Sequence, residues 1–257
     1  MLPALKRSHI KLFVVFALVC LFIILLRYST LPVLTDQLSK RVPMKVIVTV
    51  YYEALCPDSK YFLAKQLLPT FKIAKSIMEV KLAPYGKAKT KRYNGKITFE
   101  CQHGPTECQA NIYHACAAEI IEDPLLRLEV ATCMIMDNRL PQEAMYKCAK
   151  QNNFNVTVIQ SCFESKRGTD LLKAIGEATH LLRPPATFIP TITIDGSQGR
   201  QESILKDLFS EVCKAAGDSE EVKDEEVNGE KQNTALCARS RVKEDRKNRD
   251  KTNGNWL

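Results

Sequence analysis

The sequence predicts an α/β domain with a helical insertion, preceded by an apolar segment and followed by a charged tail. Three observations lead to this prediction: strand and helix patterns alternate over residues 45–85, helical patterns alone fill residues 107–182, and a strand pattern returns over residues 186–195. β-branched and aromatic runs mark the strands, and apolar residues at helical spacing mark the helices. We therefore expect residues 45–216 to form one folded domain.

The first strand-helix-strand unit follows from residue types and spacing. Lys45–Tyr52 is apolar on both faces, as expected of a central strand. The helix that follows begins near Pro57, and Pro69 predicts a kink within it. Val80–Tyr85 is the expected second strand, which completes a βαβ unit.

The later elements are predicted in the same way. The Asn94-Gly95 pair is typical of a hairpin turn and is followed by a short strand, Lys96–Phe99. Residues 186–195 are the expected last strand. Glu202–Ala216 has the spacing of one final helix packed on the sheet.

The N-terminal region predicts translocation out of the cytosol. Residues 1–11 are basic and residues 12–26 are an unbroken apolar run, long for a signal-peptide core and short for a membrane-spanning helix. The run is therefore either a signal peptide or a signal anchor, and an uncleaved anchor would give a single-pass type II membrane protein. Residues 27–44 are expected to form a stalk. In both cases the domain faces an oxidising lumen or is secreted.

Charge distribution argues against a nucleic-acid partner. The chain has a formal net charge of +8, but residues 1–45 carry seven Lys/Arg and one Asp, so most of the excess lies outside the domain. Residues 217–257 contain nine basic and ten acidic residues with few apolar ones. This composition predicts a disordered tail. Contact with a membrane is expected only through the N-terminal apolar segment.

Cys56 is the main candidate for a reactive thiol. It lies where the first strand ends and a helix begins, so unpaired backbone N–H groups and the positive end of the helix dipole favour the thiolate, the nucleophilic form. Asp58 acts against this effect by its negative charge. A structural disulfide or an inert buried thiol is the alternative interpretation.

Pro190 adds a second feature to the same candidate site. A proline directly before the last strand of such a sheet is where a cis peptide commonly faces the reactive cysteine, and its missing N–H leaves room for a substrate backbone. The alternative interpretation is an ordinary proline at a sheet edge.

Residues 101–116 hold three cysteines and two histidines, a density that is typical of a metal site or of disulfides. The spacing fits no standard closed zinc finger, and thiols in an oxidising lumen tend to pair. We therefore expect no metal here. His103 is expected to make a structural hydrogen bond, with orientation or protonation of a thiol as the alternative.

The same segment resembles the signature of the gamma-interferon-inducible lysosomal thiol reductase family, CQHG-x-x-EC-x-x-N-x-x-x-x-C. The residues that match it are Cys101, Gln102, His103, Gly104, Glu107, Cys108, Asn111 and Cys116. The segments 51–56, 84–86 and 189–196 also resemble the active-site strand, second strand and cis-proline strand of that family. The resemblance implies a thioredoxin-like fold with a disulfide-bonded helical insertion, and reduction of protein disulfides in acidic endocytic compartments.

Ser59 is the departure from the family pattern, because the active site of that family is normally Cys-x-x-Cys. In a dithiol enzyme the second cysteine resolves the mixed disulfide formed by the first. A serine cannot do so, although its hydroxyl could donate a hydrogen bond to the Cys56 thiolate. We therefore expect Cys56 to act alone on disulfide-containing protein clients, with no cofactor and with an external thiol such as glutathione or cysteine as reductant. The alternative is a binding or scaffold protein that holds client thiols without turnover.

The remaining cysteines form an even set once Cys56 and the membrane-segment Cys20 are set aside. Eight cysteines permit complete pairing in 105 ways, so the connectivity stays open. Asn155 begins the one glycosylation sequon and is the expected glycan site. The expected disulfide cysteines are Cys101, Cys108, Cys116, Cys133, Cys148, Cys162, Cys213 and Cys237.

Overall fold

The computed structural model describes residues 13–25, 45–220 and Cys237, and it divides into two units, Met1–Met44 and Lys45–Leu257. In the first unit residues 13–25 are helical. Across the described residues no helix combines the length and the apolar character needed to cross a bilayer. The expected signal peptide or anchor stays a prediction. The predicted basic segment and stalk lie outside the described residues.

A three-stranded sheet forms the centre of the second unit, in the order β2-β1-β5. Strand β1 (Val46–Tyr52) pairs in parallel with β2 (Met78–Pro84) and antiparallel with β5 (Thr191–Ile194). The alternate β1 side chains from Val46 to Tyr52 are almost completely buried. The central strand predicted from its apolar character is therefore the central strand of the sheet.

The connection from β1 to β2 is helical but interrupted. Helix α1 (Pro57–Phe62) continues into a π-helical turn, Leu63–Leu67, and then into α2 (Leu68–Ala74). Pro69 lacks an N–H and cannot donate to the carbonyl four residues earlier, so the chain is free to take the wider turn. The π-helical turn ends two residues before Pro69, and the predicted kink itself stays a prediction.

A two-stranded hairpin, β3 (Lys89–Tyr93) and β4 (Lys96–Glu100), leads from β2 into the helical insertion. Asn94 and Gly95 form its turn with φ of 48° and 76°. Positive φ at both positions matches the twist of the strands, as the Asn-Gly pair predicts.

Five helices make up the insertion and surround a second hydrophobic core. Three of the five begin with proline at the first helical position, where no N–H is needed. Disulfides join the first helix to the fourth and the second to the third. The prediction of an α/β, thioredoxin-like fold with a disulfide-bonded helical insertion is confirmed. The helices are α3 (Pro105–Ile120), α4 (Pro124–Met136), α5 (Pro141–Gln151), α6 (Val156–Glu164) and α7 (Lys166–His180).

The C-terminal part of the domain differs from the prediction in the number of its helices. The expected single helix over 202–216 is two helices, α8 (Gln201–Lys206) and α9 (Leu208–Glu220). Asp207 separates them because its carboxylate accepts the N–H of Ser210 at 3.1 Å, which caps the start of α9.

The predicted disorder from residue 217 onward is also wrong in part. Helix α9 continues to Glu220, beyond the glycine at which it was expected to stop. Cys237 is buried and forms a disulfide with Cys213. The covalent bond fixes this residue although the sequence around it is polar. The remainder of the tail lies outside the described residues.

Candidate active site

Cys56 occupies the junction between β1 and α1. It is the N-cap residue of α1, with extended backbone angles of −70° and 124°, and Pro57 takes the first helical position. The residue is 8% exposed, and its thiol donates to the carbonyl of Ile189 at 3.7 Å. The peptide bond between Ile189 and Pro190 is cis. The structure therefore brings the two predicted site residues, which are far apart in sequence, to the same place.

Ser59 lies one turn into the helix and is fully buried. Its hydroxyl oxygen accepts the backbone N–H of Glu53 at 3.3 Å. The sequence suggested a hydrogen bond from this hydroxyl to the Cys56 sulfur, whereas the described bond runs to the turn that precedes the cysteine. Ser59 thus takes part in holding the shape of that turn.

Both backbone groups of Ala54 are held by buried asparagines. The N–H of Ala54 donates to Oδ1 of Asn111 at 2.9 Å, and its carbonyl accepts from Nδ2 of Asn138 at 3.2 Å. The N–H of Cys56 donates to the carbonyl of Glu53 at 3.2 Å, which closes the turn. A buried peptide group that loses such a partner costs about 1–3 kcal/mol, so these bonds restrict the turn strongly. We call these two asparagine contacts the Ala54 clamp.

A buried imidazole links the clamp to the central strand. Nε2 of His114 lies 2.9 Å from Nδ2 of Asn138, and Nδ1 lies 2.9 Å from the hydroxyl oxygen of Tyr52. The amide nitrogen is a donor only, so Nε2 must accept and Nδ1 must carry the proton that goes to Tyr52. Burial lowers the pKa of His114 to about 3 and raises the pKa of Tyr52 above its usual range. The ring is therefore neutral throughout the mildly acidic range.

The signature segment supplies a polar face that lies against the Cys56 turn. Glu107, Asn111 and His114 follow one another at i, i+4 and i+7 along α3, and all three are completely buried. Residues at this spacing share one side of a helix. The face contacts residues 52–54 of the strand end and turn through the hydrogen bonds described above and through the cluster described next.

Two carboxylates and one imidazole form the end of this polar face. Oε1 of Glu53 accepts the N–H of Lys87 at 2.8 Å, and Oε1 of Glu107 accepts the N–H of His103 at 3.1 Å. Nδ1 of His103 lies 2.5 Å from Oε2 of Glu107 and 3.5 Å from Oε2 of Glu53. Burial raises the pKa of Glu53, and the charge of Glu107 adds to this effect, while the Lys87 N–H and His103 oppose it. We call Glu53, His103 and Glu107 the carboxylate-imidazole cluster.

Eight cysteines are paired in the structure, and Cys56 and Cys20 are free among the described residues. The bond between Cys101 and Cys108 closes the loop that carries His103, whose expected structural hydrogen bond is the one to Glu107. The four bonds are Cys101–Cys108, Cys116–Cys162, Cys133–Cys148 and Cys213–Cys237.

Other predicted residues lie away from the thiol or on the surface. Gln102 is exposed in the Cys101–Cys108 loop, and Gly104 has a φ of 85° and precedes α3 as its N-cap. Asn155 is exposed and caps α6 by accepting the N–H of Thr157 at 3.0 Å. Its use as a glycan site stays a prediction.

Sequence reasoning missed the roles of Glu53, His114 and Asn138. The i, i+4, i+7 spacing within the signature was a signal for a polar helix face, and it pointed to His114. Asn138 lies in a short connection between helices and gave no comparable pattern.

Comparison with known proteins identifies the family. The family model described as "Gamma interferon inducible lysosomal thiol reductase (GILT)" matches residues 47–152. A goldfish protein, "Gamma-interferon-inducible lysosomal thiol reductase" of Carassius auratus, is 32% identical over 188 residues, which cover 69% of this chain and 71% of that protein. This chain belongs to the GILT family. The family resemblance seen in the sequence is thereby confirmed.

Other GILT relatives match over a smaller share of their length. "GILT-like protein 1" of Drosophila melanogaster is 34% identical and the Mus musculus "Gamma-interferon-inducible lysosomal thiol reductase" is 33% identical. The matches cover 58% and 65% of this chain. The chain spans 65% of the fly protein and 66% of the mouse protein, slightly under two thirds of each. A solved structure of Chlamydia trachomatis DsbA is 14% identical with a TM-score of 0.49, and it covers 73% of this chain and 95% of that chain.

Proposed function

We propose that this GILT family member is a thiol-disulfide oxidoreductase that reduces or exchanges protein disulfides through Cys56 alone. The observation that carries the proposal is the unpaired Cys56 at the N-cap of α1, facing the carbonyl that precedes cis-Pro190, while eight other cysteines are in disulfides. A free thiol at a strand-helix junction is where a nucleophile for disulfide exchange is expected.

The proposed first step is attack by the Cys56 thiolate on one sulfur of a client disulfide. A bond forms between Cys56 Sγ and that sulfur, and the other client sulfur leaves as a thiolate that takes up a proton. The thiol must first give up its proton and its hydrogen bond to the Ile189 carbonyl. This carbonyl and the ring of Pro190, which offers no N–H, are the protein groups that a client backbone would meet beside the sulfur.

The protein contributes a fixed position for the sulfur. The Ala54 clamp holds the turn two residues before Cys56, and Ser59 holds it at Glu53. Because His114 stays neutral down to a pKa of about 3, the network behind the clamp keeps the same charge at endocytic and neutral pH. A small misplacement of a reacting group is costly, so this rigidity supports the proposed chemistry.

Resolution of the mixed disulfide is proposed to require an external thiol. Ser59 offers an oxygen that is bonded to the Glu53 N–H, and the other described lumenal cysteines are paired. A thiol such as glutathione or cysteine attacks the mixed disulfide and releases the reduced client. The first thiol is then bonded to Cys56 through a disulfide. A second thiol molecule attacks the sulfur of the first, so that Cys56 is released as a thiolate and the two small thiols leave as one disulfide. No cofactor takes part in this scheme.

The proposed clients are disulfide-containing proteins in a lumenal compartment of the endosome-lysosome or secretory route. The names of the goldfish and mouse relatives describe lysosomal thiol reductases. Delivery would depend on residues 12–26 as signal peptide or anchor. A glycan on Asn155 would lie on an exposed helix start in the insertion.

A second candidate is a binding protein that holds client thiols without turnover. The low exposure of Cys56, 8%, favours it, because a sulfur trapped in a mixed disulfide there would be difficult for a second thiol to reach. The serine at position 59 also favours it, because the helix then has no second thiol that could release the client.

A reductase assay on a disulfide-containing protein separates the two candidates. Turnover is measured at acidic and neutral pH, with and without glutathione, and mixed disulfides are counted by mass spectrometry after acid trapping. We expect the protein to accumulate client adducts and to turn over only with added thiol. Cys56→Ser should abolish both adducts and turnover.

Ser59→Cys tests the missing step, with Ser59→Ala as the matched control that removes the hydroxyl without adding a thiol. We expect Ser59→Cys to shorten the adduct lifetime and to raise turnover, since a second thiol on the same helical turn acts at very high effective concentration. Ser59→Ala should do neither. Adducts that persist in the presence of glutathione would favour the binding protein, and the absence of adducts from wild type would refute Cys56 as a nucleophile.

A further inference from the structure

The carboxylate-imidazole cluster has a geometry that thiol chemistry does not require. Glu53 and Glu107 each direct one carboxylate oxygen to a backbone N–H and leave Oε2 near Nδ1 of His103. The three potential ligand atoms all lie within 4.8 Å of one another. The arrangement therefore has three converging donor atoms, with each carboxylate oriented by a backbone N–H as ligating carboxylates commonly are.

One of the separations, between His103 and Glu53, is close to that around a tetrahedral metal ion. Zinc–oxygen and zinc–nitrogen bonds of about 2.0–2.2 Å place neighbouring ligand atoms roughly 3.3–3.6 Å apart. Nδ1 of His103 already lies 3.5 Å from Oε2 of Glu53. Its 2.5 Å contact with Oε2 of Glu107 is a hydrogen-bond distance, and it would have to open by just under 1 Å.

Electrostatics favours a cation at this point. Glu53 is 1% exposed and Glu107 is not exposed at all, so two carboxylates converge where water solvates them poorly. Such charges are costly unless they are paired or bind a metal. Burial raises the pKa of Glu53, whereas the electrostatic interactions with His103 and Lys87 act in the opposite direction and favour the carboxylate. A divalent cation would balance both carboxylates from one position.

The backbone around the cluster is fixed. Gly86 has a φ of 60°, and a Cβ on it would lie 2.2 Å from Cγ of Glu53, so only glycine lets this loop pack against that side chain. The Cys101–Cys108 bond closes the loop that carries His103. One helical turn from Glu107, the buried Nδ2 of Asn111 has no hydrogen-bond partner among the described residues. A buried amide donor without a partner is a group that an ordered water or metal-bound water satisfies.

We propose that Glu53, His103 and Glu107 form a binding site for a divalent transition-metal ion of the zinc class, with water completing the coordination. Two carboxylate oxygens and one imidazole nitrogen suit zinc, and three protein ligands leave an open position. His103 is the half-exposed member of the cluster and provides the route to solvent. The site is distinct from Cys56, although Glu53 belongs to the turn that leads to it.

The experiment measures zinc and cobalt binding to the oxidised full chain. Because a free thiol also binds zinc, every protein carries Cys20→Ser and Cys56→Ser, and the paired cysteines are protected by their disulfides. Isothermal titration gives stoichiometry and affinity for Zn²⁺, and the visible absorption of Co²⁺ reports the geometry of its ligands. His103→Gln and Glu107→Gln remove one ligand each. His180→Gln, which changes another exposed histidine of the domain, is the matched control.

We expect about one equivalent of Zn²⁺ to bind, and each ligand variant to weaken binding by at least roughly tenfold while His180→Gln has no effect. Thermal unfolding should shift upward with Zn²⁺ in the parent protein and not in His103→Gln. If Glu107→Gln fails to fold, His103→Gln decides the outcome, because its side chain is partly exposed and its loss should be tolerated. No binding, or equal binding in parent and His103→Gln protein, would overturn the proposal.

Discussion

Lowering the pH should destabilise the protein through His114. The pKa of this imidazole falls from its ordinary value of 6.5 to about 3 because the folded protein buries it without a charge partner. Between these two values the unfolded chain binds a proton that the folded chain does not. The contribution of His114 to stability is therefore fully present above pH 6.5 and is lost progressively as the pH falls toward 3.

The size of the effect follows from the same shift. One proton difference gives a slope of about 1.4 kcal/mol per pH unit, so the free energy of unfolding should drop by about 2 kcal/mol between about pH 8 and about pH 5 from His114 alone. The free energy of unfolding of a domain is about 5–15 kcal/mol, so this loss is appreciable but too small to unfold the protein. It is the cost of keeping a neutral imidazole behind the Ala54 clamp at acidic pH.

The assay compares wild type with His114→Gln by denaturant unfolding at a series of pH values, with the disulfides intact. Glutamine keeps a donor and an acceptor but does not titrate, so its own cost is a constant offset. Other titrating groups, Glu53 among them, contribute equally to the pH dependence of unfolding in both proteins. The difference between the two curves should thus have the slope of one proton between about pH 4 and about pH 6. Parallel curves would refute the depressed pKa.

Three further perturbations test the packing and the framework. Asn138→Ala should lower the free energy of unfolding by about 2–4 kcal/mol and slow client reduction, because it leaves both the Ala54 carbonyl and Nε2 of His114 unpaired. The control is Asn152→Ala, which loses one hydrogen bond at the end of α5. Equal losses in the denaturation midpoint would contradict the clamp. Gly176→Ala should lower the melting temperature by the equivalent of about 1–3 kcal/mol, because its Cβ would lie 2.3 Å from Cε2 of buried Tyr85. The control is Gly95→Ala, whose Cβ would have nothing within 4 Å and which should show only the smaller cost of a left-handed turn. A larger loss in Gly95→Ala than in Gly176→Ala would mean that the helix shifts to relieve the contact. Replacing Cys213 and Cys237 together by serine should lower the free energy of unfolding by about 3 kcal/mol, as expected for a sequence separation of 24, without changing the rate of Cys56 alkylation. An unchanged unfolding midpoint would show that this disulfide does not stabilise the domain by restricting the unfolded chain.

The fold was predictable where residue pattern and local structure agree. Lys45–Tyr52 is apolar on both faces and became the central strand, and the Asn94-Gly95 pair became a hairpin turn. The single helix expected over 202–216 failed at Asp207, because apolar spacing continues across a residue that caps a new helix. Helical periodicity does not register an aspartate whose side chain competes for backbone N–H groups.

The site was predictable only in part for a related reason. Cys56 and Pro190 follow from rules that link residue type to position in a sheet. The Ala54 clamp joins residues 57 and 84 positions apart, and a polar residue in a loop gives no sign of which backbone group it will meet. Glu53 and Glu107 were likewise visible as acids, but their convergence on His103 depends on how the insertion docks.

The Ala54 clamp makes the order of events during biosynthesis important. Both asparagines that hold the turn belong to the insertion, so the strand-helix unit carrying Cys56 is synthesised before the groups that position it. Asn111 lies on the helix that Cys116 ties to α6, and Asn138 lies between the two helices joined by Cys133 and Cys148. Until those disulfides form, the Cys56 turn lacks the two asparagine hydrogen bonds, and the nascent chain contains several other cysteines that are not yet paired. We therefore expect oxidative folding of the insertion to be the event that fixes the position of the Cys56 thiol.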